Sequence, residues 1–193
     1  MEKKETVTQE IIEAARQLFS RYGFRKTTME DIARVTHKGK SSLYYYFKNK
    51  EEVFRAVIIH EASILRKALK DATHGISDPA EKLEKYMRVR MHTMKELINY
   101  YKAAEHEHDS HYSFIDQLRD QFDQDEAQAI RSILDEGVAQ ETFQPLDTEL
   151  AANTLVVAMK GLEYPLVWKG SAQNLDKRIQ KIMKILFYGL LKR

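Results

Sequence analysis

Apolar residues recur every three or four positions from the start of the chain, which is the spacing of one face of an α-helix. The first such stripe consists of Val7, Ile11, Ala14, Ala15, Leu18, Phe19 and Tyr22. Thr6 and Gln9 before it have the spacing of a capping box, and Gly23 after it is a helix-ending residue. The pattern therefore predicts a first helix over roughly residues 6 to 22.

Two short helices and a longer one are predicted next. Thr28 is placed to cap a second helix near Asp31, and Gly39 allows a tight turn into a third helix over residues 40–47. Asn49 then begins a fourth helix over about residues 50–73. Three short helices within fifty residues, two of them joined by a tight turn, are typical of a helix-turn-helix unit.

The rest of the chain also follows helical spacing, over longer segments. Asp78-Pro79 begins a helix that the pattern extends to about residue 104, and the polar residues 105–111 indicate a bend. Further helices are predicted over 112–140, with a break near Asp123, and over 147–168 and 175–192. These patterns predict an all-α protein of about nine helices, with a helix-turn-helix domain over 1–50 and a larger helical domain over 51–193.

Composition narrows the class of protein. The chain has 193 residues with 43% hydrophobic residues, enough to fill a core, and it has no cysteine. The absence of cysteine excludes a disulfide scaffold, a thiol nucleophile and a zinc site with sulfur ligands. The N-terminus is charged, and the most apolar segment, residues 150–168, is interrupted by polar and charged residues. We therefore expect a cytoplasmic protein with no membrane span.

The net charge of +2 conceals an asymmetry between the two predicted domains. Residues 1–50 carry 11 Lys and Arg against 6 Asp and Glu, whereas residues 51–193 carry 20 against 23. A basic N-terminal domain beside an acidic remainder indicates a polyanionic partner for the basic part.

The predicted third helix has an unusual distribution of side chains. Leu43 and Phe47 share one side, whereas Ser41 and Tyr45 point to the other by the helical repeat of about 100° per residue. Exposed hydroxyl, lysine and tyrosine side chains suit a helix that enters a DNA major groove and contacts base edges and phosphates. The alternative is that the tyrosines pack between helices.

Two segments in this region, Thr27–Ala33 and Ser42–Phe54, together resemble the DNA-binding domain of the TetR family of bacterial transcriptional regulators. The resemblance covers about residues 5–54. It implies a homodimeric repressor that binds a near-palindromic double-stranded DNA operator and is released by a small effector. This chain has His37-Lys38-Gly39 where the family commonly has Gly-Val-Ser, which adds a cation at the groove.

The resemblance also implies roles for individual residues. Lys40, Ser41 and Ser42 face bases, and Thr28 and Lys50 approach phosphates. Tyr44 and Tyr46 hold the DNA backbone. The predicted DNA-binding set is completed by Lys38 and Tyr45.

Two further motifs have less specific interpretations. Gly39-Lys40-Ser41 resembles the end of a phosphate-binding loop, but Arg34 occupies the position of that loop's first glycine. His106, His108 and His111 lie among acidic residues, yet residues two apart do not share a helix face, so a solvated bend is preferred to a metal site. We predict no metal, no cofactor and no enzymatic activity; an all-helical enzyme or a helical interaction module without a DNA role is the alternative.

Methionine and aromatic residues in the predicted C-terminal domain suit either a core or the lining of a pocket for a small apolar effector. They are Met87, Met91, Met94, Tyr101, Phe114, Leu118, Tyr164 and Trp168. Arg88, Arg90 and His92 are candidates for binding an acidic group of that effector, and the spacing does not decide among them.

A dimer interface is predicted on the last two helices, where each helix has an apolar stripe. The predicted seam consists of Leu155, Met159, Leu162, Ile179, Ile182 and Leu186. Two such helices from each subunit would form a four-helix bundle. The alternative is that both stripes pack inside their own subunit.

Overall fold

The computed structural model describes residues 2–97, 99, 113–144, 147–163 and 175–189. These residues form eight α-helices and no β-strand, which confirms the all-α class. The helices are α1 (Glu2–Lys26), α2 (Met29–Val35), α3 (Lys40–Tyr46), α4 (Lys50–Thr73), α5 (Pro79–Met94), α6 (Ser113–Ala139), α7 (Thr148–Glu163) and α8 (Leu175–Tyr188). Among them, no helix has both the length and the apolar character that crossing a bilayer requires.

Three helix boundaries differ from those predicted. α1 begins at Glu2, so Thr6 lies inside the helix and is not its cap. α5 ends at Met94, about ten residues early, because Lys95 and Glu96 form a turn with bonds to the carbonyls three residues before each. α6 continues through Asp123, whose carboxylate accepts a hydrogen bond from Lys160 at 2.5 Å and leaves the helix intact.

The turn between α2 and α3 is made by a different residue from the one predicted. His37 has φ of 53°, in the left-handed region, whereas Gly39 has an ordinary φ of −65°. Histidine is one of the non-glycine residues more often found in this region. Gly39 instead precedes α3 as an N-cap without a side-chain hydrogen bond.

The first compact unit comprises Met1–Ile64 and Leu97–Leu118. Its core includes the aromatic residues Phe19, Phe24 and Phe54, with the Phe19 and Phe54 rings 5.1 Å apart in an edge-on arrangement. Val53, Val57 and Ile58 of α4 are also buried. The first half of α4 thus contributes its apolar face to this unit.

The second compact unit comprises Leu65–Glu96 and Arg119–Arg193. Its core brings together side chains from the second half of α4 and from α5 to α8. The buried members include Leu69, Leu83, Tyr86, Met87, Met91, Ile130, Leu134, Ala152, Val156, Met159, Leu175, Ile179 and Met183.

One close approach in the second unit gives a test of this packing. A Cβ atom on Gly137 of α6 would overlap the ring of Phe143, which stacks on Phe187. Gly137→Ala should therefore lower the free energy of unfolding by roughly 1–3 kcal/mol through overpacking. Urea denaturation of the purified variant measures this loss.

The same substitution should raise the free energy of unfolding once the Phe143 ring is removed. In a Phe143→Ala background, Gly137→Ala should stabilise the protein by roughly 0.5–1 kcal/mol, since alanine is the better helix former. Equal effects of Gly137→Ala in both backgrounds would contradict the contact with Phe143.

Candidate functional site

The α2–α3 motif is held by a small set of buried side chains. Ile32 and Leu43 have no exposed surface, and Phe47, just after α3, is 7% exposed. Each short helix is too brief to be stable alone, so these contacts determine its position. The inward direction of Leu43 and Phe47 agrees with the helical repeat read from the sequence.

The opposite side of α3 is open to solvent. Lys40, Ser41 and Ser42 are exposed in its first turn, and Tyr44 and Tyr45 follow. Tyr45 is 70% exposed and Tyr44 is 42% exposed. α3 therefore presents cationic, hydroxyl and phenol groups on one accessible face.

The three tyrosines are not equivalent. Tyr46 is half-buried, and its ring meets that of Tyr45 edge-on with centroids 5.1 Å apart. The Lys4 ammonium of α1 lies 5.2 Å from the Tyr45 ring centroid. The alternative, that the tyrosines pack between helices, therefore holds for part of the Tyr46 side chain. Tyr44 and Tyr45 lie on the surface.

Lys40 forms an ion pair with Glu30 of α2. The pair is exposed on both sides, and each partner shifts the other: the hydrogen bond raises the pKa of Lys40 and lowers that of Glu30. An exposed pair of this kind is weak and exchanges readily with other partners. Glu30 therefore competes with any anion for the Lys40 ammonium.

The two other lysines of the predicted set are held more closely by the protein. Lys38 donates a hydrogen bond to Glu10 of α1 at 3.0 Å. Lys50 donates to the Phe24 carbonyl at 2.9 Å, and its ammonium lies 4.3 Å from the Phe24 ring centroid. The expected approach of Lys50 to a phosphate would require it to leave this position, so the structure gives Lys50 an internal contact that the sequence did not reveal.

Thr28 forms the predicted cap of α2. Its hydroxyl accepts from the Asp31 amide at 3.1 Å and donates to Asp31 Oδ2 at 2.7 Å, and the Thr28 amide donates to the same oxygen at 3.0 Å. These bonds lower the pKa of Asp31. Because a hydroxyl has one proton, Thr28 can donate to a phosphate only by releasing Asp31.

In the second unit, a buried ion cluster joins three helices. Arg90 of α5 is 3% exposed; its Nε lies 2.5 Å from Glu126 of α6, and its Nη1 lies 2.7 Å from Glu163 of α7. The Nη1 hydrogens do not align with the Glu163 oxygen, so that close charge pair is not a good hydrogen bond. Tyr86 donates to Glu126 at 3.4 Å.

This cluster has two carboxylates for one guanidinium. Burial raises the pKa of Glu163, although the positive charge of Arg90 acts in the opposite direction. The other two cations considered from the sequence lie outside it: Arg88 pairs with Glu84, and His92 lies 2.8 Å from Asp176 at the surface. Of the three candidates, the structure buries Arg90 alone.

The predicted pocket residues are only partly described. Met87, Met91 and Met94 are buried on α5, on the same face as Arg90. Phe114 and Leu118 lie on α6, but their side chains are outside the described residues. Tyr101, Tyr164 and Trp168 lie wholly outside the described residues. The three methionines thus lie together with Arg90. The sequence had left Arg90 as one of three candidates for binding an acidic group of the effector.

The predicted seam lies largely on core residues. Leu155, Met159 and Ile179 are buried in the core of their own unit, and Leu162 and Ile182 pack against that core. The side chain of Leu186 lies outside the described residues. Packing inside the subunit, the alternative to the predicted seam, therefore describes the buried members, and the interface itself stays a prediction.

A different face of α7 is exposed, and it was not among the predicted interface residues. Leu150 is 64% exposed and Val157 is 71% exposed, and Asn153, Thr154 and Gly161 lie on the same side. These five residues form what we call the α7 face, and none is charged. Their spacing of three, four, seven and eleven positions was visible in the sequence, but the inward stripe of the same helix is more apolar.

The two remaining motifs give no site in the described part of the chain. His106, His108 and His111 lie outside the described residues, and no group of three metal-binding side chains occurs among those that are described. Gly39-Lys40-Ser41 begins a seven-residue helix and follows a turn, without the strand that precedes a phosphate-binding loop.

Comparisons with known proteins all match this chain to transcriptional regulators. Residues 11–57 match the family described as bacterial regulatory proteins, tetR family. The HTH-type transcriptional regulator YfiR of Bacillus subtilis is 29% identical over 153 residues, covering 75% of this chain and 72% of YfiR. A second B. subtilis regulator, YhgD, is 23% identical and covers 86% of each chain.

Solved structures agree over nearly the whole length. A transcriptional regulator from Cytophaga hutchinsonii has 27% identity and a TM-score of 0.76, covering 92% of this chain and 95% of its own. The fatty acid degradation regulator FadR from Bacillus halodurans, at 20% identity, shares the fold with a TM-score of 0.79 and 97% coverage of both chains.

A short helix with an exposed polar face, held on a three-helix unit, defines a helix-turn-helix DNA-binding protein. With the matches above, residues 11–57 are similar to the DNA-binding domain of the tetR family, and the chain is a DNA-binding transcriptional regulator.

The buried cluster predicts a specific pH dependence. The pKa of Glu163 is raised above its usual 4.5 in the folded protein, so the folded state holds this proton more tightly than the unfolded state does. The stability that Glu163 contributes is therefore complete below pH 4.5 and is lost as pH rises through the raised pKa. Glu163→Gln, which imitates the protonated acid, should not undergo this loss.

Urea denaturation of both proteins between pH 4 and pH 8 checks this prediction. The difference in unfolding free energy, Glu163→Gln minus wild type, should grow with pH and then level off. Taking the difference cancels the carboxylates that titrate in the opposite direction, such as Asp31 and Asp176. A difference that is constant with pH would show that folding does not change the pKa of Glu163.

Proposed function

We propose that this protein is a repressor that binds a near-palindromic operator as a homodimer and is released by a small effector. The observation that carries the proposal is α3, which is anchored by Leu43 and directs Lys40, Ser41 and Tyr45 away from the core. Such a face is suited to the major groove. The protein acts by binding and not by catalysis, in the cytoplasm where chromosomal DNA is accessible.

The exposed and the internally bonded residues have different tasks in this proposal. Lys40, Ser41 and Ser42 read base edges from the start of α3, and Tyr44 and Tyr45 contact the DNA backbone. Tyr46, Lys38 and Lys50 act from half-buried positions and set the register of the motif. Thr28 contributes through its cap on α2.

A second copy of the chain is required because one recognition helix contacts too few base pairs to select a site in a genome. We infer that the second copy packs on the α7 face. The face is uncharged over three helical turns, and its small residues allow two helices to approach closely. The buried seam residues support the face from inside.

We infer that the effector binds beside α5, against the methionines and the Arg90 cluster. Methionine side chains adapt to the shape of an apolar ligand. One guanidinium between two carboxylates leaves no positive charge in excess, which disfavours a ligand with an ionised carboxylate. The effector is therefore a small, mainly apolar molecule whose polar group is uncharged or cationic.

The Lys40–Glu30 pair generates a DNA-binding prediction. Glu30→Gln removes the competitor for Lys40 and a negative charge from the DNA-facing surface. Affinity for a duplex of arbitrary sequence should rise roughly three- to tenfold at low salt. Fluorescence anisotropy at several salt concentrations measures the gain, which should shrink as salt increases.

A matched variant separates this local effect from the change in net charge. Glu81→Gln makes the same charge change in the first turn of α5, in the other unit, and should leave DNA affinity close to wild type. Equal gains for the two variants would mean that Glu30 does not face DNA.

The α7 face generates a prediction about assembly. Val157→Glu places a charge in the proposed interface, and burying it without a partner should weaken the dimer at least about tenfold, or 1.4 kcal/mol. Val157 is 71% exposed, so the subunit should stay folded. Sedimentation velocity detects the monomers, and operator affinity should fall with dimer affinity.

Ala129→Glu provides the control, because Ala129 is an exposed alanine of α6 and lies outside the α7 face. It should sediment as the wild type does. A Val157→Glu protein that is still dimeric would place the interface elsewhere. Ile182→Glu is the poorer test, because Ile182 packs against the core and its loss disturbs folding.

A further inference from the structure

Lys4 occupies an inward-facing position of α1, where the apolar stripe of that helix would otherwise continue. It lies three residues before Val7 and seven before Ile11, which has no exposed surface, and residues at these spacings share a helix face. Lys4 itself is exposed, so α1 reaches past the core of its unit at this point. A cation in this position must have a partner other than the apolar side chains of the core.

That partner is Tyr45 of α3. The Lys4 ammonium lies 5.2 Å from the centroid of the Tyr45 ring, which is the range of a cation–π contact. A ring face attracts the charge without using up the three N–H donors of the ammonium. Among the residues that the structure describes, no carboxylate pairs with Lys4, in contrast to Lys38 and Lys40. Lys4 is therefore held in place with its donors available.

A second contact shows that α1 extends beside α3. Glu10 accepts a hydrogen bond from Lys38 in the turn before α3, whereas Lys4 meets Tyr45 near the end of α3. Glu10 and Lys4 are about 9 Å apart along α1, and α3 is about 10 Å long. The first turns of α1 therefore run past α3 in the opposite direction and reach the end at which Tyr45 is exposed.

The Tyr45 hydroxyl supplies a second donor at the same place. Tyr45 is 70% exposed, and its hydroxyl lies on the rim of the ring that holds the Lys4 ammonium. A phosphate of the DNA backbone has more than one acceptor oxygen, so it can accept from both groups. The bond from the ammonium is charge-assisted and the stronger of the two. Lysine and tyrosine side chains are both used by proteins to hold the DNA backbone.

We propose that Lys4 and Tyr45 together bind one phosphate of the DNA backbone, which makes the start of α1 part of the DNA-binding surface. Lys4 lies before residues 11–57, the segment that matches the tetR family, so that match assigns it no role. The inference rests on the proposed placement of α3 in the major groove, which brings Tyr45 to the backbone. Tyr45 then acts both as a donor and as the platform that positions Lys4.

The test is the salt dependence of DNA binding, measured by fluorescence anisotropy with the full-length protein and a duplex of arbitrary sequence. Lys4→Ala should reduce the magnitude of the slope of log affinity against log salt concentration by about 0.9 for each subunit bound, because one counterion fewer is released. Lys4→Arg keeps a cation over the ring and should keep the wild-type slope. Since Lys4 is exposed, both variants should fold as the wild type does.

Variants of Tyr45 test whether the two residues act as a pair. Tyr45→Phe keeps the ring beneath the ammonium and removes the hydroxyl, so it should weaken binding and leave the slope unchanged. Tyr45→Ala removes the platform as well. In the Tyr45→Ala background, Lys4→Ala should change affinity by less than about twofold, whereas in wild type it should cost roughly three- to tenfold at low salt.

Lys70→Ala is the matched control, because Lys70 is an exposed lysine of α4 in the second unit and its loss changes the net charge equally. It should keep the wild-type slope. An equal fall in Lys70→Ala, an unchanged slope in Lys4→Ala, or a full Lys4→Ala effect without the Tyr45 ring would each overturn the phosphate pair and leave DNA binding standing. If wild type bound no duplex, the proposed function would be rejected together with the pair.

Discussion

The exposed polar face of α3 depends on the burial of one side chain in a helix of seven residues. A helix as short as α3 is not stable in water by itself, because nucleation costs more than two turns of hydrogen bonds return. Leu43, with no exposed surface, anchors α3 to the core of its unit and thereby fixes every group on the opposite face. The polar face can therefore vary without loss of the fold, whereas position 43 must be apolar.

The basic charge of the N-terminal region is largely engaged in the free protein. Lys40 is paired with Glu30, Lys38 with Glu10, and Lys50 with a backbone carbonyl. These contacts hold long, flexible side chains in defined places, which lowers the entropy lost when DNA is bound. Glu10 and Glu30 are already subtracted in the net charge of +5 of residues 1–50, so these pairs fix where the charge lies and do not change its total. These lysines exchange their internal partners for phosphates when DNA binds, so the free energy of that exchange is part of the binding free energy.

Local patterns predicted much of the fold, and tertiary contacts account for what they missed. The Thr28 cap of α2, the Asp78 cap of α5 and the buried positions of α3 follow from residue type and spacing, and the all-α class follows from the helical periodicity of the chain. The positive φ of His37 could not be predicted in this way, because the nearby Gly39 is the residue type that adopts a positive φ most readily. The predicted seam fell on core residues for a related reason: α7 is apolar on two sides, and periodicity does not tell which side meets the protein's own core. The choice among Arg88, Arg90 and His92 likewise required the neighbouring helices.

The buried charges mark the places where this chain gives up stability. Replacing a buried ion cluster by apolar side chains is often neutral or stabilising, so stability alone does not explain why Arg90, Glu126 and Glu163 occupy the core of one unit and Glu61 that of the other. Each cluster joins helices through bonds that tolerate little displacement, unlike methionine contacts, which adapt. A movement of these helices that adaptable packing would absorb is therefore resisted at Arg90 in one unit and at Glu61 in the other.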